Sequence, residues 1–152
     1  MITKIVTGGQ TGVDRAALDV AMQLGIPVGG WCPRGRRAED GRIPDSYLLL
    51  EASSVNYAKR TELNVRDSDG TLILSGGPLT GGTALTKSLA QRLRKPVFVV
   101  DLRDDPAPNV TDEWLAANSI QTLNVAGPRE SQQPGIYDRV SDFLAQFVSR
   151  QI

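Results

Sequence analysis

Lys4-Ile5-Val6-Thr7-Gly8-Gly9-Gln10-Thr11-Gly12-Val13-Asp14-Arg15 decides how this chain folds. A β-rich run ends in a glycine-rich turn, and a helix opens straight after it. From Asp14 to Leu24, Ala17, Val20, Ala21 and Leu24 fall on one face at helical spacing. Gly25 stands where a helix C-cap belongs. Strand, glycine loop and helix N-terminus together form a geometry that holds anionic groups. Glycines let the backbone approach a phosphate, and the free N–H groups of the first helical turn point at it. Gly8, Gly9 and Gly12 are therefore candidate ligand contacts, with Gln10, Thr11 and Arg15 as side-chain donors. The stretch is neither a Walker A loop nor a Gly-x-Gly-x-x-Gly loop. Taken alone it is equally a tight turn between a strand and a helix.

The chain repeats the device. Asp69 to Leu74 reads as a buried strand and runs into Ser75-Gly76-Gly77-Pro78-Leu79-Thr80-Gly81-Gly82-Thr83, rich in glycine and hydroxyl groups. A helix from Ala84 to Arg94 follows, with Leu85, Leu89 and Leu93 at steps of four. Pro96 to Asp101 reads as a buried strand of the parallel type, with Asp101 at the edge where such sheets bind ligands. Thr111 is placed to cap a helix, and Ile120 to Val125 is the last strand. A third loop, Ala126 to Ser131, carries Gly127, Arg129 and Ser131. The final helix, Pro134 to about Ser149, buries Ile136, Val140, Leu144 and Phe147.

Strands alternating with helices imply an α/β fold, a doubly wound and mainly parallel sheet with helices on both faces. The three glycine loops then gather on the rim formed by the strand C-termini, which points to a phosphate-bearing ligand.

The segment after the first helix is less regular. Ile26 to Trp31 reads as a second short strand, and Cys32 to Pro44 as a loop without periodicity. Arg34, Arg36 and Arg37 in that loop suit an anion clamp, or else internal ion pairs with Glu39 and Asp40. Cys32 fits a small buried hydrophobe. Tyr47 to Glu51 is a short apolar piece, a strand or a helix end. Asn56 to Val65 can form a helix with Tyr57, Arg60, Thr61 and Asn64 on one unusually polar face, either solvated or turned to a ligand.

Composition bounds the rest. At 152 residues the chain is expected to be one domain, residues 1–152. A net charge of 0 gives no general attraction to nucleic acid or acidic membrane. No leader or membrane span is evident, and one cysteine excludes an intramolecular disulfide, so a cytoplasmic protein is expected. The absence of histidine removes Ser-His and Cys-His catalysis and nearly all zinc chemistry.

The stretch Gly8 to Arg15, Trp31-Cys32-Pro33-Arg34-Gly35, Glu39-Asp40-Gly41, Arg60 to Val65, Ser68 to Thr71, the Gly76–Thr83 loop and Leu123 to Ser131 together closely resemble the molybdenum carrier family. The match covers nearly the whole chain. The resemblance implies a Rossmann-like fold, in a superfamily shared with the lonely-guy phosphoribohydrolases and the DNA-processing protein DprA. It implies a carrier of molybdenum cofactor (molybdopterin, a pterin bearing a phosphate and a dithiolene-held metal) that self-associates as dimers or tetramers, with molybdoenzymes as recipients. A pterin would add demands on side chains such as Asn64 or Asp101 and on a stacking surface such as Trp31. The alternatives are a nucleotide-processing enzyme of the lonely-guy kind or a nucleotide-sensing module. In the hydrolases a glutamate closely follows the Gly-Gly-x-Gly-Thr loop. Here Ala84-Leu85-Thr86-Lys87 follows Gly81-Gly82-Thr83, so Glu39, Asp40 or Asp14 would have to replace it. The neutral charge argues against a DNA-binding role.

Overall fold

A computed structural model describes residues 1–151. In chain order the elements are β1 (Lys4–Val6), α1 (Val13–Gln23), β2 (Val28–Gly29), β3 (Trp31–Cys32), β4 (Arg37–Ala38), β5 (Gly41–Arg42), β6 (Leu50–Glu51), α2 (Tyr57–Arg66), β7 (Gly70–Ser75), α3 (Gly81–Arg92), β8 (Val97–Asp101), α4 (Asp112–Ala117), β9 (Thr122–Ala126) and α5 (Ile136–Ser149). Five strands form a wholly parallel sheet in the order β2-β1-β9-β7-β8. This is the Rossmann-like α/β architecture the alternation predicts. The connection from β1 to β2 runs to one side and that from β7 to β8 to the other. Right-handed crossovers in opposite directions place α1 and α3 on opposite faces.

Helix α1 packs against α5, and α2 against α3. Asp19 joins the first pair by accepting hydrogen bonds from the hydroxyls of Tyr47 (2.6 Å) and Tyr137. The main core lies between α1, α5 and the sheet, where Ile5, Val13, Leu72, Leu74, Leu123, Ile136, Leu144 and Phe147 are fully buried. A smaller cluster of Leu18, Cys32, Ile43 and Leu49 supports the irregular segment. Cys32 is thus the small hydrophobe its surroundings suggested. Burial pushes its thiol pKa up. Among the described residues no helix is long and apolar enough to cross a membrane.

Several elements depart from the sequence reading. The expected strand from Ile26 to Trp31 is split at Gly30, whose φ of +121° turns the chain out of the main sheet. Val28–Gly29 stays beside β1, whereas Trp31–Cys32 pairs with β6 in a two-stranded sheet. The loop from Cys32 to Pro44 contains an antiparallel hairpin, β4–β5. Helix α3 starts at Gly81 rather than Ala84, because the Thr80 carbonyl already accepts from the Thr83 and Ala84 N–H groups. Its buried face is Thr83, Thr86, Leu89 and Ala90; of the row of leucines only Leu89 is buried, Leu85 being half-buried and Leu93 exposed. Strand β8 is an edge strand with a partner on one side only, so Val99 keeps 38 % of its surface exposed. Thr111 precedes α4 but makes no capping bond, because its backbone is helical (φ −101°, ψ −1°), and its buried hydroxyl has no partner among the described residues.

Candidate functional site

Strands β1, β9 and β7 are neighbours and parallel, so the loops that follow them leave the sheet at one edge. Two of these loops are stitched together. The Val13 N–H donates to the Pro128 carbonyl (3.2 Å), and the Glu130 N–H to the Thr11 hydroxyl (3.1 Å). Gly12 makes the close approach possible: a Cβ there would lie 2.4 Å from the Pro128 carbonyl oxygen, at a φ of +77°. Gly127 is equally constrained, since a Cβ would sit 2.2 Å from the Leu74 carbonyl oxygen.

Between the loops lies a cleft of about 70 Å³. Loop one and α1 contribute Gln10 and Asp14, α2 contributes Tyr57, Arg60 and Thr61, α3 contributes Gly82, Thr83 and Thr86, and the third loop contributes Gly127 and Arg129. The polar face foreseen on α2 is therefore largely the one turned to the cleft. Arg60 reaches across the sheet edge to lie on Gly8, where a Cβ would be 1.5 Å from its Nη1. That nitrogen donates to Asp14 Oδ2 at 3.2 Å, and the Gln10 N–H donates to the same oxygen at 3.2 Å. Burial raises the Asp14 pKa, against the lowering influence of Arg60, the Gln10 N–H and Arg15. The Arg60 and Arg129 guanidinium carbons lie 5.8 and 5.7 Å from the centroid of the Tyr57 ring.

Gln10 is 6 % exposed, and its Oε1 accepts from the N–H groups of Thr11 and Glu39. Its Nε2 and the Nε of Arg60 are buried with no partner among the described residues. At the start of α3, Gly81 and Gly82 occupy the turn whose N–H groups have no partner within the helix. A Cβ on Gly82 would meet nothing within 4 Å, so the backbone is open to a ligand there. A cavity needs about 10–15 Å³ of such space to hold one water, so the cleft takes a phosphate-sized group. It is well short of the ~300–1,000 Å³ that enclose a drug-sized molecule.

The family model for the Circularly permutated YpsA SLOG family matches residues 5–148. The chain belongs to this family. The crystal structure of the "Putative molybdenum carrier protein" from Syntrophus aciditrophicus SB is 50 % identical, with a TM-score of 0.92, over 97 % of this chain and 95 % of that one. No curated protein matches.

In this YpsA SLOG member the residues singled out from the sequence fall into distinct places. Gln10, Arg60, Gly82, Thr83, Gly127 and Arg129 line the cleft, and Gly8 lies beneath Arg60. Arg15 is turned the other way. Its Nε donates to the Gly9 carbonyl and its two Nη atoms to Asp40, at 3.0 and 3.1 Å. Thr11 and Ser131 are held by the Glu39 carboxylate, with which Arg129 also forms a long ion pair of 3.9 Å. Arg34 is exposed and away from the cleft. Asn64 spends both ends of its amide on the Trp31 backbone, at 2.7 and 2.9 Å. Trp31 itself donates its indole N–H to Asp67 and does not line the cleft. Ser75 and Gly76 are bonded to Gln133, and Gly77 lies by Arg103. Thr80 precedes α3 without a side-chain cap, beside Gly81. Asp101 is gripped by the Arg103 guanidinium at the end of β8. Asp14 was not among the binding residues expected, although it opens the helix directly after the first glycine loop. That position was the available signal.

Proposed function

We propose that the chain carries molybdenum cofactor, holding the phosphate of the pterin in the cleft between its glycine loops. The carrying observation is the lining: Arg60, Arg129, Gln10 and the opening turn of α3 border one phosphate-sized space. Guanidinium groups and helix N-termini are the usual partners of phosphate oxygens. The name of the Syntrophus protein supports molybdenum as the cargo. The cleft takes the phosphate, and the fused rings extend beyond it. When bound, the cofactor supplies the dithiolene that holds the metal. The residues of this chain bind and orient it.

The test is co-purification from a host that makes the cofactor. The protein is denatured, its pterin is oxidised to a fluorescent form and counted per chain, and molybdenum is counted by mass spectrometry. Wild type retains pterin, and Arg129→Ala retains at least about tenfold less, the loss of one charge-assisted hydrogen bond of roughly 1.5–3 kcal/mol. Folded protein free of pterin, or equal retention by the variant, sinks the carrier reading. The position of Asp14 on the cleft favours the nucleotide-processing alternative as second choice. Release of free base from a nucleoside monophosphate would establish that one instead.

A further inference from the structure

The donors around the cleft surround one acceptor that a bare anion site would not contain. Asp14 lines both this cleft and a second, smaller cavity of about 10 Å³ that Asn64, Thr86 and Asn124 also line. Its Oδ2 is used by the Gln10 N–H and Arg60 Nη1, whereas Oδ1 has no partner among the described residues. Asp14 is only 4 % exposed, and what surface it keeps borders the cleft and this cavity. The charged groups bearing on it are Arg60 from α2 and Arg15 on its own helix, and Arg129 and Tyr57 complete the titratable lining of the cleft. The side chains α3 contributes beside Asp14 are the uncharged Thr83 and Thr86.

A carboxylate oxygen that accepts only from a proton donor faces a ligand whose other oxygens accept. We propose that Asp14 makes the cleft select oxyanions that bring a proton, its Oδ1 accepting a hydrogen bond from the hydroxyl of a protonated phosphate. This rests on the cleft being the phosphate site. Hydrogenphosphate and a phosphate monoester monoanion have such a hydroxyl. Sulfate and molybdate are fully ionised at neutral pH, and each would place an oxygen lone pair against a carboxylate. A buried lone-pair clash of this kind is far costlier than a missing bond. At neutral pH the site would therefore take hydrogenphosphate and the protonated fraction of a phosphate monoester, and refuse free molybdate.

The selection has a signature in pH. A pocket of arginines alone binds the dianion of a phosphate monoester best, so affinity climbs as pH rises through the second pKa near ~6. With Asp14 requiring the proton, affinity falls there instead, approaching tenfold per pH unit above it.

Calorimetric titrations of the whole chain with inorganic phosphate, sulfate and molybdate, at pH 8 and fixed ionic strength, test the selection. Wild type is expected to bind phosphate at least about tenfold tighter than either other anion. Asp14→Asn, whose amide can donate, brings the three within about threefold. Equal binding of sulfate or molybdate by wild type overturns the selection and leaves the anion site standing. Binding of none of the three overturns the phosphate site and the selection with it. A series on wild type alone, with phenyl phosphate from pH 5.5 to 8, does not depend on the variant folding. Affinity falling with pH supports the proposal, and affinity that rises or stays flat overturns it.

Discussion

Arg36 is 7 % exposed and has a left-handed backbone, φ +56°. Its guanidinium donates to the carbonyls of Ile43, Pro44, Leu49 and Tyr47, at 3.0, 2.8, 3.3 and 2.8 Å. One side chain thus satisfies the backbone of a segment that has almost no regular structure of its own. This explains how an irregular stretch can be buried against Leu18 and Cys32 without orphaning its polar groups. Arg36→Ala should lower stability by roughly 2–4 kcal/mol, since several carbonyls lose their donor at once. Arg36→Lys should recover little, because one ammonium cannot span that fork of acceptors. Urea denaturation followed by circular dichroism would read both, and a loss under about 0.5 kcal/mol, no more than an ordinary surface substitution, would contradict the role. Neither function weighed for this arginine from the sequence, an anion clamp or an ion pair with Glu39 or Asp40, describes it. Its acceptors are main-chain oxygens, which every residue type provides, so no pattern of side chains could announce them. The Asp14–Arg60 pair was hidden for a different reason: its partners are 46 positions apart.

At the level of elements, the β4–β5 hairpin acts as a clasp on the cleft's loops. Glu39 at its tip accepts from the Ser131 hydroxyl and N–H, at 2.5 and 3.1 Å, and from the Thr11 hydroxyl. Asp40 takes the fork of Arg15. Burial opposes the charge on Glu39, but the bonds from Ser131 and Thr11 and the nearby Arg129 outweigh it and lower its pKa. The hydrogen bonds and charge of Arg15 lower that of Asp40 against a smaller effect of burial. A carboxylate whose folded pKa is depressed stabilises the fold above its unfolded pKa, and that contribution is lost as pH falls through the folded value. The clasp should therefore hold at neutral pH and release below about pH 4. The melting temperature of wild type should drop between pH 5 and pH 3 more steeply than that of a Glu39→Gln, Asp40→Asn double variant. Parallel curves would show that the clasp contributes nothing. The hairpin escaped sequence reading because strands of two residues carry no periodicity. Helices α1 and α5 were legible because their apolar faces recur over several turns. The start of α3 was not, because Gly81 and Gly82 carry the composition of a loop.

For the whole molecule, the three loops could be foreseen on one rim because parallel strands leave no other choice, whereas strand order could not. The last strand, β9, is inserted between β1 and β7, and Lys4 pairs with Thr122 across 118 positions. Nothing local specifies such a pairing. The family's own description speaks of circular permutation, and the fold has the geometry for one. Met1 and Gln151 line the same surface hollow, so a short linker can join the ends. The segment between β8 and α4 can be opened instead. Asp105 bonds back to Leu102 and Val110 to Ala107, so a cut between Pro106 and Ala107 leaves both hydrogen bonds intact. In the permutant, β9 is followed by α5, the linker and β1, which brings its neighbour in the sheet close in sequence. Lower contact order speeds folding. The permutant should keep the far-ultraviolet spectrum and a cooperative melt, and refold from urea at least as fast as the natural order. Loss of the cooperative transition would mean that the present order of elements is itself required, and that the nearness of the two ends does not make them interchangeable with the loop.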